Sequence, residues 1–121
     1  MVVDAVHDDQ IREHGGLPGL RDEHALDSAL ARPRQKWHYV ANASIPALAA
    51  AYGFGIARNH PYRDGNKRTA LLAIVTFVEL NGYAFDAADA EVLTEMLALA
   101  DGRVTEAALA GWVRRHTAKR P

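Results

Sequence analysis

Ten consecutive residues, His60 to Thr69, place an imidazole, an acid, a glycine and two adjacent cations within one short stretch. His60 has an ordinary pKa of about 6.5, which suits a general base near neutral pH. Asp64 follows four residues later, the sole acid in a basic region. Gly65 has no side chain to obstruct an approaching ligand. Lys67 and Arg68 add positive charge, and a guanidinium binds phosphate oxygens in bidentate fashion. The stretch runs straight into Ala70–Leu80, apolar almost all round, a pattern that predicts a helix inside the protein. The N-terminus of such a helix presents free N–H groups and a positive dipole end, so it is an anion site. The free donors are expected at Gly65, Asn66 and Lys67, with Asp64 as the cap or just before it. A carboxylate there can cap the helix, hold Mg²⁺ against a phosphate, or do both through its two oxygens. A base beside an anion-binding helix end implies deprotonation of a hydroxyl for attack on phosphorus.

The elements that position this loop can be read from punctuation and periodicity. Val2, Val3, Val6 and Ile11 have helical spacing, with no cap before them. Gly15 to Gly19 breaks that helix. Asp22 is expected to cap a short helix bearing Ala25, Leu26, Ala29 and Leu30, which Pro33 ends or follows. Gln35 to Ala43 reads as irregular, with Trp37 and Tyr39 as packing residues. Ser44 caps the next helix, with Pro46 in its first turn. Gly53 and Gly55 lie within that helix, where glycine lowers stability but lets a neighbour approach closely. Asn81-Gly82 ends the helix after the motif. Tyr83 to Phe85 is a short extended piece. Asp86 is read as the cap of a helix stopped at Asp101-Gly102. Thr105 and Glu106 open the last helix, whose basic end is expected to fray. The expectation is an all-α fold: one domain over residues 1–121, about six helices around the buried one after the motif, and no convincing strand.

Bulk properties exclude several classes. With 121 residues, 49% hydrophobic and 24% charged, the chain can bury a core without staples. It has no cysteine, hence no disulfide framework and no thiolate chemistry. No signal peptide is visible, and no apolar run spans a bilayer. A net charge of −1 gives no general reason to expect nucleic-acid binding. The distribution is less even: residues 28–68 hold seven bases and one acid. Arg58, Arg63, Lys67 and Arg68 point to an anionic ligand, whereas Arg32, Arg34 and Lys36 fit a solvated face equally well. His7, His14, His24, His38 and His116 do not fall at zinc spacings and read as surface or packing residues. The glycines match neither a P-loop nor a dinucleotide fingerprint.

The run His60-Pro61-Tyr62-Arg63-Asp64-Gly65-Asn66-Lys67-Arg68 resembles the signature of Fic-fold proteins. Within them it is most similar to the death-on-curing (Doc) toxins of bacterial toxin–antitoxin pairs. Gly15 to Asp22, Ser28 to Pro33 and Asn81 to Tyr83 fit that family in order. The resemblance implies a compact helical Fic/Doc fold that uses ATP and Mg²⁺. It makes His60 the base, Asp64 the Mg²⁺ ligand that orients the reacting groups, and Gly65, Asn66, Lys67 and Arg68 the phosphate contacts. Tyr62 matches an inward-packing aromatic position. Most Fic proteins have glycine at 67 and transfer AMP. The Doc branch has lysine, and Lys67 therefore implies transfer of the γ-phosphoryl group, with a threonine of elongation factor Tu as the target. Gly65 keeps part of the loop Fic-like, so AMP transfer stands as the alternative, and a non-catalytic antitoxin-binding co-regulator as a third reading. The family also implies a cytoplasmic protein restrained by a Phd-like antitoxin, since no glutamate here has Ser or Thr four residues before it. An antitoxin tail needs an apolar groove, for which Leu17, Leu20, Trp37 and Tyr39 are the candidates.

Overall fold

The computed structural model describes residues 2–121, in the order α1 (Val2–His14), α2 (Glu23–Tyr39), α3 (Ile45–Asn59), α4 (Asn66–Leu80), β1 (Tyr83–Phe85), α5 (Asp89–Ala100), α6 (Glu106–Arg115) and β2 (Thr117–Lys119). Three helices start where a side chain replaces a missing backbone partner. Asp22 accepts from Ala25 N–H at 3.1 Å, Ser44 from Ala47 N–H at 3.2 Å, and Thr105 from Ala108 N–H at 3.0 Å. Gly82, at φ +87°, stops α4 beyond Asn81.

The helix at the centre is α3 rather than the one after the motif. Nine residues of α3 are buried, against five of α4. Its run of alanines and glycines lets α2 and α4 approach it closely. A Cβ added at Gly55 would lie 2.9 Å from the Ala29 Cα and 3.0 Å from its carbonyl oxygen; one at Gly53 would collide with Cγ1 and Cδ1 of Ile74. Ile56, Ile74, Leu99, Leu109 and Val113 fill the space between helices and are fully buried. Each contributes about 1.5–3 kcal/mol by leaving water.

Several expectations about local structure fail for tertiary reasons. Pro33 lies inside α2, which continues to Tyr39. Proline there deprives the Ala29 carbonyl of its helical donor. The helix persists because Leu26, Ala29, Leu30 and Pro33 form its buried face. Residues 35–39 are consequently helical, and Trp37 and Tyr39 point to solvent, 63% and 86% exposed, instead of packing. Asp86 caps nothing: α5 begins at Asp89 behind Ala88, while the Asp86 N–H is bonded to the His116 carbonyl at 2.8 Å. Finally, two strands exist. Tyr83, Ala84 and Phe85 pair antiparallel with Lys119, Ala118 and Thr117. The C-terminal residues are tied down rather than frayed: Arg120 N–H donates to the Gly82 carbonyl at 2.8 Å and its guanidinium to that of Glu79 at 2.6 Å. That cation serves the C-terminal end of α4. Among the described residues no helix is long and apolar enough to cross a membrane.

Candidate active site

The site begins where α3 ends. His60 is the C-cap of α3 in the left-handed conformation, φ +48°, its N–H still bonded to the Ile56 carbonyl. A non-glycine residue there costs on the order of 1–3 kcal/mol and needs support. Arg21 supplies it, donating from Nε to the His60 carbonyl at 2.7 Å and from Nη2 to the Asn59 carbonyl at 2.8 Å. The imidazole emerges from the turn exposed, with no hydrogen-bond partner among the described residues, and borders a cleft of about 530 Å³. Arg63, Asp64, Gly65, Asn66, Lys67 and Arg68 form most of the remaining wall.

The loop between α3 and α4 is pinned from both sides. On one side the 15–22 segment forms a short antiparallel bridge, Leu20 to Tyr62. The Pro61 carbonyl accepts from Arg21 and Asp22 N–H, and the Gly19 carbonyl from Arg63 N–H. On the other side lies α1. Tyr62 is 2% exposed, and its hydroxyl donates to Asp4 at 2.7 Å. Burial, and then the Asp4 carboxylate, push its pKa far above the ordinary phenol value. His7 is 1% exposed, stacks on the Tyr62 ring at 3.8 Å and 8°, and bonds from Nε2 to the Asp64 carbonyl at 2.7 Å. Inside the loop, Asn66 closes a clamp on Tyr62: its Oδ1 accepts from the Tyr62 N–H at 3.0 Å, and its Nδ2 donates to the Tyr62 carbonyl at 2.9 Å.

This arrangement changes the roles of three residues. Asp64 is not the cap of α4. Gly65 holds that position at φ +75° with no side-chain cap bond, and Asp64 precedes it. Asp64 Oδ1 accepts from the Gly65 N–H at 2.9 Å, while Oδ2 lies 3.4 Å from the Leu17 N–H. Gly65 is therefore required mainly for its left-handed backbone. An added Cβ would meet only Ile11 at 3.5 Å and His7 at 3.7 Å. Thr69 N–H bonds to the Gly65 carbonyl, so the first-turn N–H groups without an acceptor among the described residues are those of Asn66, Lys67 and Arg68. Asn66 thus offers the cleft its N–H, its side chain being held by Tyr62.

Charge is also redistributed. Arg58 turns away from the cleft and lies over the Phe54 ring at 5.5 Å. Arg32 and Lys36 pair with Glu106 at 2.7 and 3.1 Å, joining α2 to α6. Burial raises the Glu106 pKa, but the two cations outweigh it and hold the carboxyl below its ordinary value. That leaves Arg63, Lys67 and Arg68 around the three free N–H groups, an arrangement complementary to a phosphate chain. Among the described residues no three His, Cys, Asp or Glu side chains converge as a metal site. Asp64 fits Mg²⁺ only in the manner usual for that ion beside phosphates, one carboxylate with substrate oxygens and water completing the shell. Lys67 and Arg68 also border an adjoining, mainly apolar hollow of about 320 Å³, lined by Leu71, Val92, Leu93, Met96 and Leu97 with Asp89.

The four residues proposed for an apolar groove do not share one lining. Leu17 and Leu20 belong to the segment beside Asp64 and Tyr62, whereas Trp37 borders a hollow with Pro33, Leu48, Tyr52 and Phe77. Asp4, His7, Gly16 and Arg21 are the site residues that motif reading misses. They lie 38 to 58 positions from the groups they touch; Gly16 and Arg21 fall in the Gly15–Asp22 stretch that fits the family, but nothing local assigns them a partner, and no local pattern marks Asp4 or His7.

A family profile described as the Fic/DOC family matches residues 2–78. The chain is 32% identical over 112 residues to a protein named Protein kinase doc from Escherichia phage P1, covering 92% of this chain and 87% of that protein. It is 42% identical over 94 residues to Toxin Doc from Mycolicibacterium smegmatis, covering 72% and 71%.

Proposed function

This chain belongs to the Fic/DOC family, and from that premise we propose that it is the toxin of a bacterial toxin–antitoxin pair, moving the γ-phosphoryl group of ATP onto a protein hydroxyl. The observation that carries the reading is the N-terminal end of α4. Three free N–H groups and the cations Arg63, Lys67 and Arg68 face a cleft in which the His60 ring has no partner. In this reading His60 takes the proton of the acceptor hydroxyl as its oxygen attacks the γ-phosphorus. The bond from that phosphorus to the β–γ bridging oxygen breaks, and ADP leaves. The N–H groups of residues 66–68 and the arginines stabilise the phosphoryl oxygens as charge shifts between them. Asp64 would hold Mg²⁺, which when bound neutralises phosphate charge. The apolar hollow beside Lys67 suits the base of a nucleotide better than it suits a free phosphate.

Lys67 is the residue that favours phosphoryl over AMP transfer, because its side chain adds bulk and charge where glycine leaves space. The names of the two relatives, a protein kinase and a toxin, support the same reading. The target we infer is a threonine of elongation factor Tu in the cytoplasm, so that translation stops. The natural restraint is a Phd-like antitoxin, and no direct contact with nucleic acid is required. AMP transfer is the second reading, favoured by the left-handed Gly65. ATP labelled at either the α or the γ phosphate, offered with elongation factor Tu, separates the two: γ label on the acceptor is expected, and α label would sink phosphoryl transfer. A non-catalytic co-regulator predicts instead that His60→Ala leaves growth inhibition intact.

A further inference from the structure

We propose that His7, on α1, is a positioning residue for the transfer reaction, fixing the Asp64–Gly65 peptide at the start of α4. The proposal rests on the phosphoryl-transfer reading above. A carbonyl oxygen can only accept, so the 2.7 Å contact with Asp64 requires the proton on His7 Nε2. In a trans peptide the C=O and the following N–H point in opposite directions. Holding the Asp64 carbonyl toward α1 therefore aims the Gly65 N–H away from α1, where it meets Asp64 Oδ1 at 2.9 Å.

That peptide is the one most able to flip, because glycine at 65 tolerates either orientation at little cost. A flip would turn a carbonyl oxygen toward the phosphate and remove the N–H that orients the Asp64 carboxylate. His7 is held for this task. It is 1% exposed, and its ring lies flat on Tyr62, whose hydroxyl is itself tied to Asp4. Ile11, one turn further along α1, would meet an added Cβ at Gly16 at 3.2 Å and at Gly65 at 3.5 Å. One face of α1 thus shapes the loop from beneath without lining the cleft.

Two substitutions separate the hydrogen bond from the stacking. His7→Phe keeps a ring on Tyr62 and loses the donor; His7→Gln loses the ring and keeps an N–H within reach of Asp64. Positioning predicts that His7→Phe lowers kcat for γ-label transfer by roughly 10–100-fold with a much smaller change in KM for ATP, and that His7→Gln restores most of the rate. A role in packing alone predicts the reverse order of rates. Wild-type kcat in His7→Phe, or a Gln variant as slow as the Phe one, overturns the proposal. If His7→Phe does not fold, the Gln variant decides: near-wild-type kcat supports positioning and a slow one overturns it. If the wild-type protein transfers no label, the phosphoryl-transfer reading is what fails. Amide exchange at Gly65 and Asn66 then tests the contact directly: faster exchange in Phe but not in Gln supports it, and equal exchange in all three proteins overturns it.

Discussion

Gly16 and Gly15 are adjacent, both in left-handed backbone, and only one of them touches the acid of the site. A Cβ at Gly16 would lie 2.7 Å from Asp64 Oδ2 and 3.1 Å from its Cγ; one at Gly15 would meet nothing within 4 Å. Alanine at either position costs on the order of 1–2 kcal/mol, because φ is +79° at Gly15 and +116° at Gly16. Gly16→Ala adds a displacement. Restoring ordinary contact requires the carboxylate to retreat by roughly 0.7 Å, breaking its alignment with the N–H groups of Leu17 and Gly65. A shift of that size at a group orienting the reaction lowers rate by about 10–100-fold. The expected result is that both variants melt a few degrees lower, that Gly15→Ala transfers label from γ-labelled ATP at close to the wild-type rate, and that Gly16→Ala is slower by at least about tenfold. Equal transfer rates in the two folded variants would refute the assignment of Asp64 as a positioned carboxylate.

Other consequences can be measured by melting. Tyr62→Phe removes the donor to a half-buried Asp4 carboxylate and is expected to cost about 1.5–3 kcal/mol, and Asp4→Asn added to it should cost little more, since the two groups act as one pair. Gly55→Ala should destabilise by about 1–2 kcal/mol despite alanine's better helix propensity, because it presses a side chain against the Ala29 backbone; Gly53→Ala collides with Cγ1 and Cδ1 of the fully buried Ile74 and should also destabilise. His116 aims Nδ1 at the Trp112 carbonyl and Nε2 at Glu91, both at 2.8 Å, a pair of acceptors that only the imidazolium satisfies. Its pKa is raised, first by the backbone bond and then by Glu91. A raised folded-state value means the added stability is full below the unfolded pKa of about 6.5 and fades as pH rises through the folded value. The melting temperature of wild type relative to Glu91→Gln should therefore fall between pH 6 and 9, and a constant difference would contradict the arrangement.

The helices were legible because their ends are marked by side chains that act within four residues. Asp22, Ser44 and Thr105 each supply the missing acceptor locally, and Gly82 supplies the left-handed stop. The errors fall where distant contacts outweigh local preference. Proline removes a donor and so predicts a helix that ends at or before Pro33, yet the face it shares with Leu26 and Ala29 is buried and keeps α2 helical. The strands at Tyr83–Phe85 and Thr117–Lys119 are too short to show periodicity, and each exists only through the other. Asp86 has the side chain of a cap, and nothing local signals that its N–H belongs to His116.

By itself the sequence determined that a base, an acid and a set of cations sit at the start of a helix, because those ten residues are contiguous and glycine follows the acid. It also carried the family likeness, through motifs in order along the chain. Tertiary structure alone decided how the groups are used. It left the N–H groups of residues 66–68 facing the cleft, drew Arg58 away to Phe54, and set Asp64 just before the cap, with its Oδ2 beside the Leu17 N–H. It also set α1 beneath the loop, where Asp4 and His7 reach Tyr62 and Asp64 across 58 and 57 positions. Covalent spacing governs which groups a helix end can offer. Which donors stay free, and which carboxylate stays aimed, depends on hydrogen bonds that form only once distant segments have packed.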